Sequence, residues 1–130
     1  MPRLGAHMSI AGGLNKALVR GKKSGCHVIQ VFTRNRSRWR NKKLSTKEIE
    51  LFLRACEETY IHPVAAHNSY LINPASPRAD VFEKSFHSLV DELERAELLK
   101  IPYLVIHPGA HLGAGEKKGL KRIADAINRA

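Results

Sequence analysis

Cysteine is scarce: Cys26 and Cys56 are the only two in 130 residues. They stand far apart, in apolar surroundings and without Cys-x-x-Cys spacing, which argues against a disulfide framework, a cysteine zinc site or a redox motif and leaves two buried free thiols as the expectation. Long apolar runs are also missing. Nothing approaches the roughly 18 residues of a membrane span, and the first residues lack the apolar core of a signal peptide. A cytoplasmic protein with no membrane partner is therefore expected. Acidic residues are few, twelve Asp and Glu against twenty-two Lys and Arg, for a formal net charge of +10. Such an excess draws a chain toward polyanions such as nucleic acid. By itself it fits a solvated basic surface equally well. The basic clusters Lys22-Lys23, Arg34 to Lys43 and Lys117 to Arg122 gain meaning only once placed on a fold.

At 43% hydrophobic the chain has enough apolar residues for one core, and residues 1–130 are read as a single domain. Short apolar runs alternate with segments of helical period, the pattern of repeated βα units around a parallel sheet. Strands are expected at Arg3 to His7, His27 to Phe32, Val64 to His67 and Tyr103 to His107. Helices are expected at Gly13 to Lys23, Thr46 to Thr59, Asp80 to Leu99 and from Lys117 onward. Ser45 with Glu48 forms a capping box before the second helix. In the third, Phe82, Phe86, Leu89, Val90 and Leu93 recur at helical spacing, an apolar stripe to lay against a sheet.

The loops that follow the strands are the longer and odder ones: Met8 to Gly12, Thr33 to Leu44, Asn68 to Arg78 and Pro108 to Glu116. In a (β/α)8 barrel those are the loops that build active sites. His7, His67 and His107 each stand at or just past the end of a strand. A lone histidine is more often a satisfied structural residue. Three at equivalent strand ends face one mouth, where imidazoles converge on a metal or a phosphate. His27, His62 and His87 lack that placement; His111 stands near it and is held as a phosphate or supporting contact.

The segment Gly5-Ala6-His7-Met8-Ser9-Ile10-Ala11-Gly12-Gly13-Leu14 resembles the opening of the endonuclease IV family. Phe32-Thr33-Arg34-Asn35 with Trp39 is similar to that family's second loop, His67-Asn68-Ser69-Tyr70-Leu71-Ile72-Asn73 to its third, and His107-Pro108-Gly109-Ala110-His111-Leu112 to its fourth. Each piece alone is weak; four in order and in register are strong. The resemblance implies an α/β fold of TIM-barrel type, with about four βα units making half of a barrel whose complete form runs to about 250 residues. It also implies a DNA-repair endonuclease that hydrolyses the phosphodiester 5′ to abasic sites with three zinc ions.

By that resemblance His67 and His107 are zinc ligands and His7 a supporting contact, with no catalytic residue expected beyond the ligands. The remaining family ligands fall past Ala130, so only a partial site and an impaired activity are expected of this length of chain. Tyr70 and Leu71 match side chains that the family pushes into the minor groove at the lesion, while Arg34, Arg36 and Arg38 are expected to contact DNA. The family's intercalating arginine aligns with Ser37, between Arg36 and Arg38. Either one of these takes over by a small shift of the loop or both bind phosphates. Double-stranded DNA with abasic sites is the expected partner. A half barrel leaves edges that invite self-association. Two rival readings stay open: a non-catalytic DNA-binding half barrel, and a metal-dependent sugar isomerase or epimerase on the same barrel.

Overall fold

The computed structural model describes residues 2–130. Four strands and four helices alternate: β1 (Gly5–His7), α1 (Leu14–Lys23), β2 (Val28–Val31), α2 (Thr46–Thr59), β3 (Val64–His67), α3 (Ala79–Leu98), β4 (Tyr103–Val105) and α4 (Glu116–Arg129). The strands form one parallel sheet in the order β1-β2-β3-β4. Sequential parallel neighbours joined by helices are the arrangement of half a (β/α)8 barrel.

Alternation along the strands separates the two faces of the sheet. Ile29, Val31, Val64 and Ala66 point outward and are buried, meeting Leu14, Ala17 and Leu18 of α1, Phe52, Ala55 and Cys56 of α2, and Ala96 near the end of α3. The core therefore lies between sheet and helices. The opposite face carries the row His7, Gln30, Ala65 and Tyr103, paired across the sheet in that register. It is open: Tyr103 is 58% exposed and Val105 43%.

The outer strands are shorter than the apolar runs suggest. β4 stops at Val105, so His107 stands two residues beyond its strand. Each edge strand pairs on one side only, and its ladder ends sooner. The capping box of α2 is present: Glu48 N donates to Ser45 Oγ at 3.2 Å and Ser45 N donates to Glu48 Oε2 at 2.8 Å.

The apolar stripe expected of α3 is only partly the buried one. Leu89 is buried, but Ser85, Ser88, Glu92 and Arg95 line the inward face beside it, and Leu93 is 39% exposed. The reason is long-range: this helix receives a charged loop from β2 rather than only a sheet. Phe82 and Phe86 pack sideways under the Arg129 guanidinium of α4, which lies 4.1 Å from the Phe86 ring centre. Both thiols are free. Cys56 is buried, and burial pushes it up to about 11, whereas Cys26 is only half-buried. No helix among the described residues is long and apolar enough to cross a membrane.

A histidine and aromatic cluster at the barrel mouth

β1, β2, β3 and β4 all deliver their carboxyl ends to the same side of the sheet, and five rings meet there. His67 lies at the end of β3 with its ring centre 5.0 Å from that of His107. Phe32, the residue after β2, packs against His7 at 4.5 Å, His67 at 5.5 Å and Tyr70 at 5.4 Å. Tyr70 in turn lies 5.5 Å from His67 and is 61% exposed, so it closes the cluster toward solvent. Arg36 spans the top, its guanidinium 5.5 Å from the Phe32 ring and 5.7 Å from the Tyr70 ring.

Hydrogen bonds fix the imidazoles. His67 is buried and its Nδ1 lies 2.7 Å from the Asn68 carbonyl oxygen. A carbonyl only accepts, so the proton sits on Nδ1 and the Nε2 lone pair is free. A backbone carbonyl behind the ring is the usual orienting partner of a metal-ligating histidine. His7 differs. Gln30 Nε2 donates to its Nδ1 at 2.9 Å, placing the His7 proton on Nε2. Burial, with His67 and then Arg36 adding to it, holds His7 below its ordinary value.

The loops are tied to one another. Ser69 Oγ donates to the Arg36 carbonyl at 2.6 Å, joining the second and third loops. Asn73 joins the third and fourth: its Nδ2 donates to Ala110 O and its Oδ1 accepts from Ala110 N, both at 3.0 Å. Gly109 must be glycine here, since its φ is +91° and a Cβ would fall 2.1 Å from Asn73 Oδ1.

Of the residues singled out from the sequence, His7, His67, His107, Tyr70 and Arg36 come together. Leu71 is half-buried beside Tyr70, and Arg38 is exposed on the second loop. His111 is not part of the ring cluster; its Nδ1 accepts from Gly115 N at 3.3 Å and braces the loop that leads into α4. Arg34 lies apart from the ring cluster. It is 5% exposed and turned into the protein, where its guanidinium meets Asp91 at 2.6 Å, Glu92 at 3.1 Å and the Ser88 hydroxyl. An arginine so engaged acts as a strut between the second loop and α3.

Sequence reasoning missed Phe32 as the hub, although its place one residue after a strand was a usable signal. It also missed the clamp between the second loop and α3, in which Arg34 meets Asp91 and Glu92 and Arg95 meets Thr33; these partners lie more than fifty residues apart and leave no local pattern. Burial pushes the Glu92 carboxyl up, against the Thr33 hydroxyl, Arg34 and Arg95, which favour its ionised form.

Two imidazoles side by side, one with its lone pair free, fit part of a zinc site. Among the described residues no three His, Cys, Asp or Glu side chains gather to hold a metal ion.

The model of the xylose isomerase-like TIM barrel family matches residues 18–130. A probable endonuclease 4 of Chloroflexus aggregans is 53% identical over 129 residues, covering 99% of this chain and 45% of that protein. The crystal structure of endonuclease IV from Thermus thermophilus superposes with a TM-score of 0.84 at 35% identity, covering 99% of this chain and 47% of that one. A D-psicose 3-epimerase shares the fold at a TM-score of 0.68 and 14% identity, over 97% of this chain and 47% of the epimerase. This chain thus spans about half the length of the curated relatives it matches. It belongs to the xylose isomerase-like TIM barrel family and corresponds to the amino-terminal half of endonuclease IV.

Proposed function

We propose that this chain is the lesion-facing half, folded as one domain over residues 1–130, of a DNA-repair nuclease of the endonuclease IV type, a zinc-dependent deoxyribonuclease that cuts 5′ to abasic sites. The observation that carries the reading is the single cluster of His7, Phe32, His67, Tyr70 and His107 under Arg36 at the mouth. His67, through its free Nε2, and His107 would hold one zinc ion. In a complete site of this type zinc activates a water molecule and neutralises the phosphate under attack.

The chain's own residues divide the remaining tasks. Tyr70, exposed and braced by Phe32, is the wedge that enters the minor groove where a damaged nucleotide leaves the stack, with Leu71 beside it. Arg36 and Arg38 meet phosphates. His7 packs on Phe32, and its lowered value disfavours a further positive charge next to the metal ligands. Two imidazoles leave the trinuclear centre incomplete, so cleavage by these 130 residues alone should be very low or nil.

The test is affinity for a duplex with one abasic site against the same duplex undamaged, for wild type and Tyr70→Ala, alongside a nicking assay with added zinc. A lesion preference that falls in the variant supports the reading. Equal affinity for both duplexes in the wild type would sink it. Lesion binding with no nicking at any protein concentration favours a non-catalytic DNA-binding role, and retention of a sugar instead of DNA would favour the isomerase-type alternative.

A further inference from the structure

Beyond the ring cluster, the second loop has another face, turned toward α3. Trp39, Arg40 and Asn41 on the loop and Lys84, His87 and Asp91 on the helix enclose an open cavity of about 560 Å³. None of these side chains belongs to the cluster of rings at the mouth. The volume lies within the roughly 300–1,000 Å³ of small-molecule sites.

The charges inside it do not cancel. Asp91, the acidic group lining the cavity, is already committed to Arg34 at 2.6 Å. Asn41 is occupied in stitching the loop, its Nδ2 donating to the Arg38 carbonyl at 3.1 Å. Arg40, Lys84 and His87 are exposed and take part in no ion pair among the described residues. Lys84 and His87 lie three residues apart on α3, the spacing that puts two side chains on one helix face. Across from them stands Trp39, a half-buried indole.

We infer that this cavity is a nucleotide subsite, in which Trp39 stacks on a base while Arg40, Lys84 and His87 take its phosphate. An aromatic platform beside a basic wall is the combination that holds a nucleotide without reading its sequence. The rigid floor, made by Arg34, Asp91 and Ser88, fixes the wall on α3 relative to the platform on the loop. This site is distinct from the mouth and stands whether or not the mouth binds abasic DNA.

The sequence supplies a reporter, because Trp39 is the sole tryptophan. Its fluorescence should be quenched saturably by deoxyadenosine monophosphate, far less by deoxyadenosine, and the quenching should be reversed by inorganic phosphate. The exposed pair Lys84→Ala, His87→Ala should weaken the monophosphate about tenfold or more, one lost charge-assisted contact being worth that factor, with an unchanged melting temperature. A tetranucleotide that binds more tightly than the monophosphate identifies the ligand as part of a nucleic-acid strand; equal affinity identifies it as a free nucleotide. No saturable quenching, or the same affinity in the double variant, would overturn the subsite. So would equal quenching by deoxyadenosine.

Discussion

Arg34 and Arg36 are two residues apart in one basic run and end on opposite sides of the second loop. Arg34 is buried between Asp91 and Glu92, while Arg36 lies over Phe32 and Tyr70 at the surface. Removing one partner of a buried ion pair leaves an uncompensated charge, so Arg34→Ala should cost about 3–5 kcal/mol in a denaturant melt. Arg36→Ala should change stability by less than about 0.5 kcal/mol. It should instead flatten the slope of log DNA affinity against log salt by about one unit. The reverse pattern, with Arg34 carrying the salt dependence, would contradict the strut. The sequence reading treated the two alike because a basic run does not show direction. Arg34's acidic partners lie on α3, 57 and 58 positions further on. The histidines were legible for the opposite reason: strand ends are local features, and strands of a parallel barrel end on one side.

At the scale of elements, the start of α2 was written plainly in Ser45 and Glu48, and the geometry matches it. Glu48 is held below its ordinary 4.5, first by the Ser45 backbone N–H and then by the Ser45 hydroxyl. A carboxylate whose folded value lies below its unfolded one contributes stability above the unfolded value and loses it as pH falls through the folded value. The stability gap between wild type and Glu48→Gln should therefore be present at neutral pH and close as the pH drops below 4.5. A gap unchanged between neutral pH and strong acid would contradict the cap's electrostatic part. Ser45→Ala should cost about 1 kcal/mol in the same melts.

The second loop is a different case. Arg95 on α3 donates to the carbonyls of both Thr33 and Lys42, pinning the loop near its two ends. Arg95→Met should expose the bonds after Arg36, Arg38 and Arg40 to faster tryptic cleavage under native conditions. Cleavage no faster than in wild type would show that the loop holds itself. Nothing near residues 33–44 foretold this clamp. The polar inward face of α3 was misread for the same reason, since its apolar spacing was visible and its partner was not.

For the whole molecule, the order and number of βα units were legible because each unit is a local pattern, and a parallel sheet of consecutive units follows from it. Strand lengths were not legible, because pairing at an edge depends on what stands alongside. The half barrel exposes its inner face at Tyr103 and Val105, and Leu120 and Ile127 of α4 are more than half exposed. Such edges and apolar surface favour association with a second copy. Sedimentation of the 130-residue chain should show a concentration-dependent pair, shifted toward monomer by Val105→Lys; a monomer at every concentration would contradict it. A second copy brings the same histidines, so pairing leaves each mouth with His67 and His107. Zinc competition against a chromophoric chelator, on wild type and on the His67→Ala, His107→Ala double variant, tests the assignment of that mouth most directly. One zinc bound per chain in the wild type and none in the double variant is the expected result; equal zinc binding by the two proteins would contradict it.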